Sequence, residues 1–135
     1  MTIETIPDSH KVLFEKPILA NLATILPNGL IQVNPVWCDY DGTYVRFNSF
    51  EGAQKGKNVK KSAVATVLLV DPENHYFWIE VRGRVVEITH EGADDHIDSL
   101  AKKYLGVDKY PFHREGYVRL TYKIQPERVN VVSPQ

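Results

Sequence analysis

The chain has 135 residues, of which 43% are hydrophobic, and its formal net charge at pH 7 is -1. This length and apolar content predict one packed domain over residues 1–135. The near-zero charge excludes a nucleic-acid-binding domain that works through a broadly basic surface. A single cysteine, Cys38, excludes an internal disulfide. Without a signal-like start or a long apolar run, the sequence predicts a soluble, cytoplasmic protein with no membrane partner.

The first half of the chain contains three strand-like runs. They are residues 18–26, 30–39 and 44–50, separated by the turn signals P-N-G at 27–29 and D-G at 41–42. We expect these runs to form an antiparallel meander. Pro35 lies inside the second run. Because proline cannot donate a hydrogen bond to a neighbouring strand, this position predicts an edge strand or a bulge.

A basic segment follows the third run. Residues 51–62 contain one acidic residue and the four lysines Lys55, Lys57, Lys60 and Lys61. Small or apolar residues recur at three- and four-residue spacing between 53 and 63, which predicts a helix that turns its lysines outward. A helix start offers free backbone N–H groups, so we expect an anion site whose natural ligand is a phosphorylated cofactor. The alternative is an ordinary solvated lysine face.

Two further strands are predicted in the middle of the chain. Residues 64–70 form a nearly continuous apolar run, which is typical of a central strand buried on both faces. Residues 76–88 alternate between apolar and polar side chains until Gly83, where the alternation slips. We therefore expect a bulge or a sharp bend after Gly83.

The last third of the chain begins with a helical pattern. Residues 91–104 carry apolar side chains at helical spacing, with Thr89 available as a cap and Gly106 as the end. Two strands are expected after it, at residues 117–124 and around 129–132. The order β-β-β-α-β-β-α-β, followed by the short last strand, predicts a mainly β, α+β fold: an antiparallel barrel with a few covering helices.

Several short motifs occur in a definite order. They are N-P-V-W at 34–37, D-G at 41–42, F-N-S at 47–49, Q-K-x-K-N-V at 54–59, V-D-P-E-N at 70–74 and E-V-R-G-R-V at 80–85. This ordered set resembles the pyridoxamine 5′-phosphate oxidase-like split barrels, and within them the flavin/deazaflavin oxidoreductase branch of coenzyme F-420-dependent enzymes. The resemblance covers roughly residues 10–132. It implies a Greek-key split β-barrel of the FMN-binding type and a homodimer with cofactor clefts at the interface.

The resemblance also implies that the basic segment holds the cofactor phosphate. By match to the family motif, Lys55 is the first choice for the phosphate contact, supported by Gln54, Lys57 and Asn58. Residues two apart on a helix point in nearly opposite directions, so Lys55 and Lys57 can share an anion only if one precedes the helix. We expect Lys55 to be that residue. Several relatives carry arginine at the positions of Ala53 and Lys57, so the grip on phosphate is expected to be weaker and more salt-sensitive here.

Further contacts are implied for the cofactor ring and its ribityl chain. The residues concerned are Asn34, Pro35, Val36 and Trp37, then Asn48 and Ser49, and finally Tyr76 and Trp78 along the cleft. Aromatic and amide groups suit a flat heteroaromatic ring, which needs an apolar wall and a few hydrogen bonds. The alternative for Trp37 and Trp78 is packing in the core or at a dimer interface.

Other catalytic chemistry has little support in the sequence. The five histidines are scattered without metal-ligand spacing, and the chain contains no G-x-S-x-G, P-loop or G-x-G-x-x-G motif. No metal site and no catalytic side chain are therefore expected, since in a cofactor enzyme the reactive atom belongs to the cofactor. The leading hypothesis is an oxidoreductase in which reduced coenzyme F-420 transfers hydride to a small electron-poor acceptor such as a quinone or enone. The alternatives are an FMN-dependent oxidoreductase of the pyridoxamine-phosphate oxidase type and a noncatalytic protein that binds a flavin, a deazaflavin or haem.

Overall fold

The computed structural model describes residues 3–134. In chain order these residues form a short 3-10 helix Asp8–His10, α1 Val12–Glu15, β1 Ala20–Ile25, β2 Ile31–Val36, β3 Cys38–Tyr40, β4 Val45–Phe50, α2 Gln54–Lys61, β5 Val64–Val70, β6 Trp78–Thr89, α3 Ala93–Leu105 and β7 Arg119–Val132. None of the helices in this part of the chain has the length and apolar character required to cross a membrane.

All the strands belong to one antiparallel sheet, in the order β2-β1-β5-β6-β7-β4-β3. The first and last strands of this order, β2 and β3, are separated in sequence by Trp37 alone. The two ends of the sheet are therefore joined through one residue, and the sheet curls around its own core. The predicted split barrel with covering helices is confirmed.

The predicted meander is wrong at its second strand. Residues 30–39 break into β2, which pairs with β1, and β3, which pairs with β4 at the far end of the sheet. Two side chains of α3 hold this break in place: the Tyr104 hydroxyl accepts the Cys38 N–H at 3.1 Å, and the Lys103 ammonium donates to the Cys38 carbonyl. Pro35 does lie on an edge strand, opposite Asn21, as its missing N–H requires.

The second half of the chain follows the expected order with three corrections. The two predicted last strands are one continuous strand, β7, which pairs along most of β6. Helix α3 begins at Ala93 after Gly92, while the Thr89 hydroxyl accepts the Glu91 N–H in the preceding turn and does not cap the helix. β5 is central, but its residues are alternately buried and half-exposed, so only one of its faces is covered by this chain.

The bend after Gly83 is confirmed, because the register between β6 and β7 shifts at Arg82/Gly83 and again at Val85/Glu87. Glycine is required there by a close approach of the two strands, since a Cβ on Gly83 would lie 2.1 Å from the carbonyl oxygen of Gln125. The predicted end of α3 at Gly106 is confirmed as well, with Gly106 in the left-handed conformation at φ 74°.

The barrel core is formed by the inward-facing residues of all the long strands. Its largest fully buried side chains include Leu22, Phe47, Leu69, Ile79, Tyr122 and Ile124. The Phe47 and Tyr122 rings stack with their centroids 4.6 Å apart. This packing fixes β4 against β7, and the ends of those two strands carry the polar residues of the site described next.

Candidate functional site

A cavity of about 290 Å³ opens where the two ends of the sheet meet. It is lined by Leu19, Pro35, Val36, Trp37, Asn48, Ser49, Phe50, Lys55, Ile97, Tyr110, Phe112 and Arg119. These residues come from the break between β2 and β3, the end of β4, the first turn of α2, one face of α3, the loop after α3 and the start of β7. The cavity therefore depends on nearly every element of the barrel rim.

Two cations, Lys55 and Arg119, are the charged residues of this lining, which contains no carboxylate. Burial lowers the pKa of Lys55, and the positive charge of Arg119 lowers it further. Burial also lowers the pKa of Arg119, while Tyr110 and Asp94 favour its charged form. Within residues 3–134 neither cation forms an ion pair. Two neighbouring cations in a lining without a carboxylate provide a positive surface to which an anion can bind.

Arg119 is held in place by a neighbouring amide. It is the first residue of β7, opposite Phe50 of β4, and its Nε atom donates to Asn48 Oδ1 at 2.8 Å. The Asn48 amide nitrogen in turn donates to the Ala93 carbonyl at 2.9 Å. The guanidinium carbon lies 5.1 Å from the centroid of the Tyr110 ring, a cation–π arrangement. The charge is thus oriented before any ligand arrives.

A buried polar network lies behind Asn48. His96 Nδ1 is 3.2 Å from the Asn48 amide nitrogen and 3.0 Å from the Thr121 hydroxyl. On its other side His96 Nε2 is 3.2 Å from Asp39 Oδ2, an electrostatic contact whose angle lies outside hydrogen-bond geometry. Burial alone would raise the pKa of Asp39, but its contacts with His96 and Arg46 outweigh that effect, and the pKa is lowered. The carboxylate is therefore charged at neutral pH and anchors the network.

Lys55 reaches the cavity because α2 lies unusually close to the barrel. A Cβ on Gly56 would lie 2.3 Å from the Tyr122 hydroxyl, so only glycine allows this approach. The helix begins at Gln54, which places Lys55 in its first turn. The expectation that Lys55 precedes the helix is therefore wrong. Lys57, two positions on, is exposed and does not line the cavity, in agreement with the directions of side chains on a helix.

Asn58 and Gln54 connect α2 to the sheet. The buried Asn58 amide donates to the Thr24 hydroxyl at 3.0 Å and to Gln32 Oε1 at 3.2 Å, and its oxygen accepts from the Gln54 amide at 2.8 Å. Neither residue lines the cavity. Both fix the helix that carries Lys55, because buried amides are satisfied only in this one arrangement.

Aromatic side chains form a further part of the lining. The Trp37 ring stacks on Tyr104 with centroids 5.2 Å apart and an interplanar angle of 9°, and the Tyr110 ring meets it edge-on at 6.0 Å. Tyr104 is itself fixed, since its hydroxyl donates to the Ile18 carbonyl at 2.6 Å. A flat apolar surface at the break in the strand is thereby held rigid, as a planar ring ligand requires.

The structure divides the sequence-predicted site residues into two groups of equal size. The lining contains Pro35, Val36, Trp37, Asn48, Ser49 and Lys55, whereas Asn34, Gln54, Lys57, Asn58, Tyr76 and Trp78 lie outside it. Tyr76 is 75% exposed. Trp78 is the first residue of β6, which pairs with β5 and β7 and not with the lining strands β2 and β4.

The rest of the lining consists of Leu19, Phe50, Ile97, Tyr110, Phe112 and Arg119. Of these residues, sequence reasoning missed Leu19, Phe50, Ile97 and Arg119. One signal for Arg119 was present, since an arginine opens the alternating pattern of the last strand. Its proximity to Lys55 depends on the pairing of β7 with β4, which the sequence pattern did not specify. Within residues 3–134 no group of three or more His, Cys, Asp or Glu side chains is arranged to hold a metal ion.

Comparison with known families gives one decisive match. The family model described as pyridoxamine 5′-phosphate oxidase matches residues 6–133. The chain belongs to the pyridoxamine 5′-phosphate oxidase family. No curated protein sequence matches the chain significantly.

Several solved structures are similar to this chain in fold. A structure described as an F-420 reductase is 30% identical, with a TM-score of 0.83, and the match covers 93% of this chain and 98% of that one. A conserved hypothetical protein of Mycobacterium tuberculosis is 19% identical, with a TM-score of 0.72, over 96% of this chain and 86% of that one. HupZ of Group A Streptococcus is 22% identical, with a TM-score of 0.68, over 93% of both chains. The last two, at such identities, are similar to this chain in fold alone.

Proposed function

We propose that the protein is an oxidoreductase that binds reduced coenzyme F-420 in this cavity and reduces a small electron-poor acceptor such as a quinone or an enone. The observation that carries the proposal is the pair of unpaired cations, Lys55 and Arg119, in a cavity with an aromatic wall. The family membership and the 30% identity to an F-420 reductase support the same conclusion.

The residues present fit such a cofactor. Lys55 and Arg119 would bind its phosphoryl group, as a point charge and a fork-shaped donor respectively. Trp37, Val36 and Tyr110 would contact the ring and exclude water from one face. When bound, the reduced deazaflavin would supply a hydride to the acceptor, and water would supply the accompanying proton. The protein's own part is to bind, orient and desolvate.

Three exposed lysines on α2 suit the remainder of this cofactor. Lys57, Lys60 and Lys61 lie outside the cavity and are exposed, on the helix that also carries Lys55. Coenzyme F-420 has an acidic oligoglutamate tail, which these lysines would attract along an open groove. FMN has the phosphate without this tail, and the family match makes it the second candidate for the same cavity.

A binding titration tests the proposal and the choice of cofactor. The purified protein and its Lys55→Ala and Arg119→Ala variants are titrated with coenzyme F-420 and with FMN. Each substitution removes a charge-assisted contact, so we expect the Kd for F-420 to rise about tenfold or more. Lys102→Ala, at an exposed lysine of α3 that does not line the cavity, is the control and should change the Kd less than about threefold. Tight FMN binding without F-420 binding would reverse the cofactor assignment, and unchanged affinity in both variants would remove the site.

We also propose that two copies of the chain complete each cofactor cleft. The outward face of β2 and its neighbourhood is apolar and uncovered, with Ile31 67%, Val33 61% and Leu19 51% exposed. The cavity of about 290 Å³ is at the lower limit of ligand pockets, which are typically about 300–1,000 Å³. A partner on this face would bury the apolar surface and enlarge the cleft next to Leu19.

Sedimentation measures this assembly directly. Val33→Glu should convert the dimer to monomer at micromolar concentration, because a charge would be buried at the centre of the interface. Leu105→Glu, which changes an exposed apolar position at the end of α3 and not on β2, should leave the sedimentation coefficient unchanged. A wild-type protein that sediments as a monomer would refute the shared cleft.

A further inference from the structure

A second cavity, of about 310 Å³, adjoins the first. It shares Phe50, Tyr110, Phe112 and Arg119 with the cofactor cavity and adds His113, Arg114 and Tyr117. The added residues all belong to the loop between α3 and β7. Because Arg119 belongs to both linings, a ligand in the second cavity would lie directly beside the group bound in the first.

The lining of the second cavity combines aromatic rings with positive charge. Four of its residues are aromatic and two are arginines, one is a histidine, and none carries a carboxylate. The Phe50 and Tyr117 rings lie 4.9 Å apart at 35°, and the Tyr110 and Phe112 rings meet edge-on at 5.7 Å. Ring ligands pack on such tilted and edge-on faces. Phe112 is 62% exposed, so most of its ring surface is open to a ligand.

Arg114 is the charge that distinguishes this cavity from the first. Its guanidinium carbon lies 5.9 Å from the centroid of the Tyr117 ring. Across the described chain, residues 3–134, Arg114 forms no ion pair with a carboxylate. The carboxylates of Asp94 and Asp98 line a third cavity, which shares Tyr110 and His113 with the second, and Lys109 pairs there with Asp98. Arg114 is therefore available to an anionic ligand, and an arginine pairs with a carboxylate through two parallel hydrogen bonds.

We propose that this second cavity is a subsite for a planar ring acceptor that carries a carboxylate, such as a quinone carboxylate: the carboxylate would bind to Arg114, and the electron-poor ring would take the hydride. This inference rests on the proposed function only where it calls the ligand an acceptor. The binding of a ring with a carboxylate is inferred from the lining residues alone. The acidic tail of the cofactor is the other source of carboxylates. It has no ring, so it would leave the four aromatic side chains without a role.

Calorimetric titration with 2-naphthoate and its neutral analogue 2-naphthamide tests the subsite without any turnover. Wild-type protein should bind the acid about tenfold more tightly than the amide. Arg114→Gln should abolish this difference, because it should lower the affinity for the acid and leave the affinity for the amide unchanged. Arg128→Gln, the same change at an exposed arginine of β7, should preserve it. Phe112→Ala should lower the affinity for the acid and for the amide by the same factor. Equal binding of the two compounds to wild-type protein, or an unchanged ratio in Arg114→Gln, would overturn the proposal.

A titration of the same variants with coenzyme F-420 separates the two sources of carboxylate. The subsite requires that Arg114→Gln leave the Kd for F-420 unchanged. A tenfold loss of F-420 affinity in this variant, with 2-naphthoate binding unaffected, would assign Arg114 to the cofactor tail and overturn the subsite. If neither F-420 nor FMN binds while 2-naphthoate binds through Arg114, the proposed cofactor function fails and the aromatic-anion subsite stands.

Discussion

Two walls of the adjoining cavities are built in opposite ways. At the fixed wall, Asn48 and Arg119 are buried at strand ends, and a polar network that runs through His96 to the Asp39 carboxylate supports them. At the exposed wall, residues 111–118 are all exposed, although a few backbone hydrogen bonds, such as Tyr117 N–H to the Arg114 carbonyl at 3.1 Å, shape the loop.

This contrast separates two tasks. The hydrogen bonds from Arg119 to Asn48 and from Asn48 to the Ala93 carbonyl hold the guanidinium at a fixed place. An exposed loop of aromatic and basic residues contributes little to the core and can adapt to different ligands. In the function proposed above, the fixed wall would serve the cofactor and the exposed wall would serve the acceptor.

The largest expected effect is on the fixed wall. Asp39→Ala leaves Arg46 without its two-pronged partner and His96 facing an empty position. We expect the free energy of unfolding to fall by about 2 kcal/mol, measured by urea denaturation. Asp108→Ala, an exposed loop aspartate, is the control and should change it by less than about 0.5 kcal/mol. Equal stability of the two variants would show that the network does not anchor the wall.

A smaller effect concerns the acid limb of the stability curve. The folded-state pKa of Asp39 lies below its ordinary value, so the folded state binds the proton less tightly than the unfolded state. This stabilisation is complete above the unfolded pKa of about 3.9 and is lost as the pH falls through the lowered folded pKa. In Asp39→Asn the stability should therefore decrease less steeply as the pH falls below about 4. Urea unfolding midpoints measured across that pH range test this. A variant curve parallel to that of the wild type would contradict the assignment.

A third prediction concerns the pH dependence of anion binding. The pKa of Lys55 is lowered by burial and by Arg119, so its charge is lost at a lower pH than that of an exposed lysine. Affinity for inorganic phosphate should then fall as the pH rises through this lowered pKa, since only the charged lysine attracts the anion. Lys55→Arg should remove this fall, because arginine stays charged. The affinity for phosphate at each pH is measured by its competition with F-420 at constant ionic strength. If this affinity varied with pH in the same way in the wild type and in Lys55→Arg, Lys55 would be excluded as the titrating group.

The smallest effect on stability is expected at the exposed wall. Phe112→Ala should change the free energy of unfolding by less than about 0.5 kcal/mol, because the ring is 62% exposed and lies outside the core. The same variant should lower the affinity for 2-naphthoate. A loss of binding without a loss of stability would distinguish the exposed wall from the fixed wall. A loss of more than about 2 kcal/mol would place this loop in the folded core and remove the distinction.

Local patterns in the sequence determined much of the fold. The bend near Gly83 and the glycine end of α3 were predicted, and Pro35 was predicted to lie on an edge strand or at a bulge, of which the structure has the edge strand. Each prediction follows from the backbone properties of one residue. The ordered motifs also identified the family, which the match over residues 6–133 confirms.

Only the tertiary structure decided where the second strand breaks and which cations meet. The break at Trp37 depends on hydrogen bonds from Lys103 and Tyr104 to the backbone of Cys38, far away in sequence. Arg119 reaches the cavity of Lys55 because β7 pairs with β4, and Lys55 reaches it because Gly56 lets α2 approach Tyr122. Such long-range contacts have no signature in periodicity or spacing, since they depend on the shapes of two surfaces that meet only after folding.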